Sequence, residues 1–97
     1  MRLAAKIDAN QPEIVQELRS IGASVHPLHF VGNGFPDLLV GFRGQNYLLE
    51  IKDGEKPPSQ RKLTQDEEDW QTAWKGQVVT ISTVLEALLV IGVMERV

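Results

Sequence analysis

The stretch Gly34-Phe35-Pro36-Asp37-Leu38-Leu39-Val40-Gly41-Phe42-Arg43-Gly44-Gln45-Asn46-Tyr47-Leu48-Leu49-Glu50-Ile51-Lys52 decides the reading of this chain. Residues 37–43 and 46–52 are apolar and β-prone, and Gly44-Gln45 between them is a turn signal, so the pair reads as a β-hairpin. Interior strands rarely carry ionised side chains unless something pairs with them. This hairpin carries Asp37 at its entrance and Glu50 with Lys52 at its exit. With Gly44-Gln45 as the turn, Asp37 lies opposite Lys52 and Leu39 opposite Glu50. Opposed residues share a face, as do residues two apart on one strand. Asp37, Glu50 and Lys52 therefore gather on one face at one end, while Leu38, Leu49 and Ile51 turn to the other. A one-residue slip of register would scatter the group.

Outward from the hairpin, Ile14, Val15, Leu18 and Ile21 recur at helical spacing and predict a helix at about residues 11–21, stopped by Gly22. Asn10, Pro12 and Glu13 suit its start, with Asn10 as cap and Glu13 completing a capping box. Ala23 to Phe30, interrupted by Pro27, reads as an edge strand. Residues 31–34 and 53–62 are loops. Thr64 and Glu67 form a second capping box, opening a helix that carries Trp70, Ala73 and Trp74 and stops at Gly76. Val78 to Ile81 is a strand. Thr83 to Ile91 is a last helix, with Leu85, Leu88 and Leu89 inward. The order is α-β-β-β-α-β-α, an α/β chain read as one domain over residues 1–97.

The 97 residues suffice for one core. The 42% hydrophobic content excludes wholesale disorder. A net charge of −3 excludes nucleic-acid binding by bulk positive charge but leaves a local basic surface open. The absence of Cys excludes thiolate zinc sites and disulfides and suits a cytoplasmic setting. The apolar run Val84 to Met94 is too short for a membrane span, and Lys6 and Asp8 stand where an export signal needs apolar residues.

Two carboxylates and an ammonium at one end of a hairpin have a plain chemical reading. Asp37 and Glu50 offer hard oxygen ligands for Mg²⁺ or Mn²⁺, and the Ile51 carbonyl offers another. A divalent ion there polarises a phosphate oxygen and lowers the pKa of a bound water. Lys52 would orient that water or offset charge building on the phosphate. This is equipment for phosphodiester hydrolysis.

Gly34-Phe35-Pro36-Asp37, twelve intervening residues, then Glu50-Ile51-Lys52 resembles the PD-(D/E)XK nuclease motif. The chain is similar in particular to the small stand-alone VRR-NUC nucleases of phages and bacteria, through the early helix with Glu13, the run from Gly34 to Gly41, and Leu63-Thr64 ahead of the helix with Trp70. The resemblance covers roughly residues 10–90. It implies a restriction-endonuclease-like core with a mixed central sheet flanked by helices. It also implies a metal-dependent DNA endonuclease acting on four-way (Holliday) junctions or other structured DNA as a homodimer. Asp37, Glu50 and Lys52 would be its catalytic residues, with Glu13 assisting at the metal. A Gln after the motif strand often sits near the site in that family. Here Glu67 stands at the matching position, and Gln65 is the other candidate.

Plainer readings stand beside these. Glu13 and Glu67 either face the site or only cap their helices, and the acids 66–69 suit a helix N-terminus. The trio itself reads alternatively as an ion-paired strand face, in a structural or partner-binding domain. A non-catalytic nucleic-acid-binding module is a further alternative. Lys56, Arg61 and Lys62 are candidates to hold a DNA backbone, with Gly32 and Gly34 allowing close approach, or they are solvated loop charge. His26 and His29 read as partly exposed histidines rather than a metal pair. Trp70 and Trp74 read as core anchors rather than a base-stacking platform. Setting aside Asp37, Glu50, Glu13, the four acids at 66–69 and Lys52 leaves six acids against nine bases, a mildly basic remainder. No segment is left over for a separate recognition domain.

Overall fold

The structure, a computed structural model, describes residues 7–93. Helix α1 is Gln11–Ser20, β1 Ser24–Pro27, β2 Leu38–Phe42, β3 Gln45–Ile51, α2 Gln65–Ala73, β4 Val79–Ile81 and α3 Val84–Val90. A single 3-10 turn, Pro58–Gln60, interrupts the loop before α2. The strands form one sheet in the order β1-β2-β3-β4. The β1/β2 and β2/β3 pairs are antiparallel and β3/β4 is parallel, so the sheet is mixed. The described residues form a small α/β fold with three α-helices, in the predicted element order. The export-signal reading rests partly on Lys6, which lies outside the described residues. No helix among the described residues is long and apolar enough to cross a membrane.

Alternation divides the sheet into two faces. Leu38, Val40, Leu49 and Ile51 are fully buried and meet Ile14 and Leu18 of α1 and Ala87 of α3, with Ile91 just beyond it. Helices α1 and α3 contact each other over this face. The other face carries Asp37, Leu39, Glu50 and Lys52. Helix α2 reaches it through Glu67, whose carboxylate pairs with Lys52. No residue of α2 is buried.

Three local expectations change. The inward stripe of α3 is Val84, Ala87, Leu88 and Ile91, and Leu85 is 52% exposed. The helix phase is fixed at its start, where Thr83 Oγ1 accepts from the Glu86 N–H and Glu86 Oε1 accepts from the Ser82 N–H. Trp70 and Trp74 are not core anchors. They stack on one another at 4.9 Å on the thinly covered face of the sheet, and Trp74 is 42% exposed.

The third change is at Asn10. It occupies the cap position of α1, but its side chain makes no cap hydrogen bond and Glu13 completes no capping box. Instead Asn10 Nδ2 donates to the Lys52 carbonyl at 3.0 Å and the Ser82 carbonyl at 2.9 Å, tying the helix start to the ends of β3 and β4. Two long-range bonds replace one local bond. Asn10→Ala leaves both carbonyls without this partner and is expected to destabilise the protein by about 1–3 kcal/mol. Urea unfolding should show a lower midpoint at unchanged slope.

Candidate active site

The hairpin turn is Arg43-Gly44, one residue earlier than Gly44-Gln45. Phe42 pairs with Gln45, and both turn residues take positive φ, 51° and 78°. This suits the tight two-residue turns that join twisted antiparallel strands. Leu38 lies opposite Leu49, and Asp37, just before β2, donates its N–H to the Leu49 carbonyl at 3.1 Å, which sets it beside Glu50. The partner of each residue moves by two positions. A shift of two preserves the face, so Asp37, Glu50 and Lys52 still gather on one side.

They line one cavity of about 330 Å³. The loop 32–35 forms one wall, and Thr64, Asp66 and Glu67, at the start of α2, form another. Asp37 and Glu50 are 6% and 1% exposed. Asp37 Oδ2 accepts the Ile51 N–H at 2.7 Å, so the β3 backbone fixes this carboxylate. Ile51 thus joins the site through its amide. Glu50 Oε1 is buried and has no hydrogen-bond partner among the described residues.

The electrostatics follow from this crowding. Burial, then the adjacent Asp37, pushes the Glu50 carboxyl up to about 11. Burial also raises Asp37, although its hydrogen bonds to Glu50 and to the Ile51 amide work against the rise. The metal-free pair therefore holds a proton near neutrality. Lys52 Nζ lies 2.6 Å from Glu67 Oε1. Burial is the largest single influence and would lower the Lys52 pKa, but the Glu67 hydrogen bond together with the charges of Glu67, Glu50 and Asp8 outweighs it, and the ammonium stays charged. Burial would likewise raise Glu67, and Lys52 and the Thr64 N–H hold it below its ordinary value.

Glu67 combines both roles considered for it. It completes the capping box, accepting the Thr64 N–H at 2.8 Å, and it also reaches Lys52. Gln65 does not take that place, because its amide donates to Asp69 Oδ1 at 2.8 Å along the exposed helix. Glu13 is not brought to the carboxylate pair. It is exposed and borders a separate recess with Asp53 and Glu55. Asp8 lines the cavity instead. It sits in a segment without sequence pattern, and nothing local signals its role. Lys56, Arg61 and Lys62 lie in the loop before α2 and do not line the cavity. His26 is exposed on β1, and His29 follows that strand beside α1.

Gly34 lines the cavity, and a tertiary approach explains why it is glycine. Its φ is +81°, and a Cβ there would overlap the backbone of Asp66 and Glu67. The loop and the N-terminus of α2 touch at this point. Gly34→Ala is therefore expected to displace α2, break the Lys52–Glu67 pair and destabilise the protein by roughly 1–3 kcal/mol. Gly44→Ala, where a Cβ meets open space, carries only the φ penalty. A thermal melt of the two variants should show the larger loss for Gly34.

The donor chemistry suits a hard divalent cation. Mg²⁺ is bound through one or two carboxylates, retained waters and substrate phosphate. Asp37 and Glu50 supply the carboxylates, and the unpartnered Glu50 oxygen supplies a free lone pair. No three acidic or His side chains converge into a preformed metal centre among the described residues. Any further ligands would be water, backbone or substrate. No family model, no curated protein and no solved structure matches the chain.

Proposed function

We propose that the chain is a metal-dependent endonuclease that hydrolyses DNA phosphodiester bonds, on a restriction-endonuclease-like core of the PD-(D/E)XK type. The observation that carries this reading is the adjacent, buried pair Asp37 and Glu50, with an unpartnered Glu50 oxygen and the charged Lys52 in the same cavity. Two buried carboxyls without a cationic partner of their own are costly to keep unless they bind something. Asp37 and Glu50 would hold Mg²⁺ or Mn²⁺. When bound, such an ion supplies Lewis-acid polarisation and a water of lowered pKa. Asp37 is held in place by the Ile51 N–H. Lys52, kept protonated by Glu67, balances charge on the phosphate or positions the attacking water. Homodimerisation and preference for junctions or other branched DNA belong to the same proposal. They rest on the resemblance in sequence.

A second reading has a specific observation in its favour. Lys52 is only 12% exposed and already engaged by Glu67 at 2.6 Å, as in a structural ion pair. One experiment separates the readings. Nicked, duplex and four-way-junction DNA are incubated with the protein in Mg²⁺, Mn²⁺ or EDTA. Metal-dependent cleavage that Asp37→Ala and Lys52→Ala abolish supports the enzyme. Binding without cleavage identifies a non-catalytic module, and neither result leaves a structural domain.

A further inference from the structure

Beside the carboxylate cavity lies a second groove, of about 350 Å³, lined by Phe35, Leu39, Tyr47, Leu48 and Trp74 among others. Phe35 borders both. Leu39 is 38% exposed and Trp74 42% exposed, so the groove presents apolar surface to solvent.

The exposed indole of Trp74 is held by three separate devices. Its ring stacks on Trp70 with centroids 4.9 Å apart and planes 20° from parallel, and Trp70 in turn meets the edge of Phe35 at 5.0 Å. Its Nε1 donates to the Gln77 carbonyl at 3.1 Å. Gly76 makes room for it, since a Cβ there would come within 2.8 Å of the indole nitrogen. Gln77 is itself fixed, accepting from the Leu48 N–H at 2.7 Å and donating to its carbonyl at 3.3 Å. A solvent-facing aromatic ring locked in this way has already lost the freedom that binding would otherwise take from it. Flat, rigid aromatic surface presented to solvent is what stacks an unpaired nucleobase.

We infer that this groove binds an unpaired nucleobase of the strand whose phosphate lies in the neighbouring cavity, with Trp74 and Phe35 as its aromatic walls. The inference rests on the nuclease reading and sharpens its substrate class to DNA that is single-stranded next to the attacked phosphate. Stacking requires no particular base, since every base offers a π-face. A fully paired duplex keeps its bases stacked on one another and offers the groove nothing. The shared wall at Phe35 favours a nucleobase over other occupants, because a strand threading the cavity must continue past it.

The test uses the full chain in EDTA, so that binding is read without cleavage. A fluorescein-labelled single-stranded oligonucleotide and its blunt duplex are titrated by anisotropy, and Trp emission is followed with unlabelled strands. The single strand should bind more tightly than the duplex and quench Trp emission. Trp74→Ala should weaken single-strand binding about tenfold or more, and Trp74→Phe should stay within about threefold of wild type. Gly76→Ala keeps the tryptophan but displaces it, and should fall with Trp74→Ala. Equal affinity for duplex and single strand, no binding of either, or single-strand binding unaffected by Trp74→Ala would each overturn the inference. A dimer by light scattering that Trp74→Ala converts to monomer would assign the groove to a second copy instead, and would also overturn it. Base binding without cleavage of any DNA in Mn²⁺ would retain the groove and sink the nuclease reading.

Discussion

Asp37→Asn is expected to lower metal-dependent DNA cleavage about a thousandfold or more, the loss of roughly 4 kcal/mol of transition-state stabilisation. The same substitution should abolish the rise in melting temperature that Mg²⁺ or Mn²⁺ gives the wild type. At about ten times its Kd, a cation that binds only the folded state adds ~1.4 kcal/mol, roughly 6–11 °C for a domain of this size. Asparagine keeps a side-chain oxygen that can accept the Ile51 N–H, so the fold is retained while the charge is removed. Calorimetry with and without the cation reads the thermal effect independently of catalysis. A full thermal response in Asp37→Asn would show that this carboxylate holds no metal. Lys52→Ala should behave differently, losing cleavage while keeping the thermal response, because Lys52 is no ligand.

The metal-free protein should lose stability as pH rises from about 4.5 towards 8, and Glu50→Gln should remove most of that slope. The sign follows from the direction of the shifts. Both carboxyls have folded-state pKa values raised above their unfolded ones, Glu50 to about 11. Such a group contributes its full stability below the unfolded pKa. That contribution is lost as pH rises towards the folded pKa, because the unfolded chain ionises freely while the folded one cannot. Between pH 4.5 and pH 7 Glu50 alone accounts for about 3 kcal/mol of lost stability. Urea midpoints in EDTA across this window check it. A flat profile in the wild type would mean that Glu50 is not held protonated. Adding Mn²⁺ should flatten the wild-type profile, since a cation takes the place of the proton.

Much of this was legible in the sequence, for reasons that can be named. The capping box of Thr64 and Glu67 is a contact within four residues, so the local order of residues is enough to specify it. The hydrophobic spacing of Ile14, Val15 and Leu18 likewise determines which face of α1 is buried. The clustering of Asp37, Glu50 and Lys52 survived a misplaced turn because side-chain direction depends only on parity, and the correction was by two. Whether Arg43 or Gln45 joined Gly44 in the turn could not be read, since a non-glycine residue at positive φ has no sequence mark. Asp8, the Asn10 bridge to Lys52 and Ser82, and the reach of Glu67 to Lys52 span separate elements and carry no local pattern either.

Helix and strand periodicities and capping are short-range physics, so residue order along the chain was enough to place the elements and to put the three charged residues on one face. The tertiary structure alone decided which carboxylates share a cavity, that Asp8 rather than Glu13 enters it, and that Trp74 lies exposed instead of in the core. Those outcomes depend on how α1 and α2 settle on opposite faces of the sheet, and that packing is fixed by contacts among residues far apart in the chain.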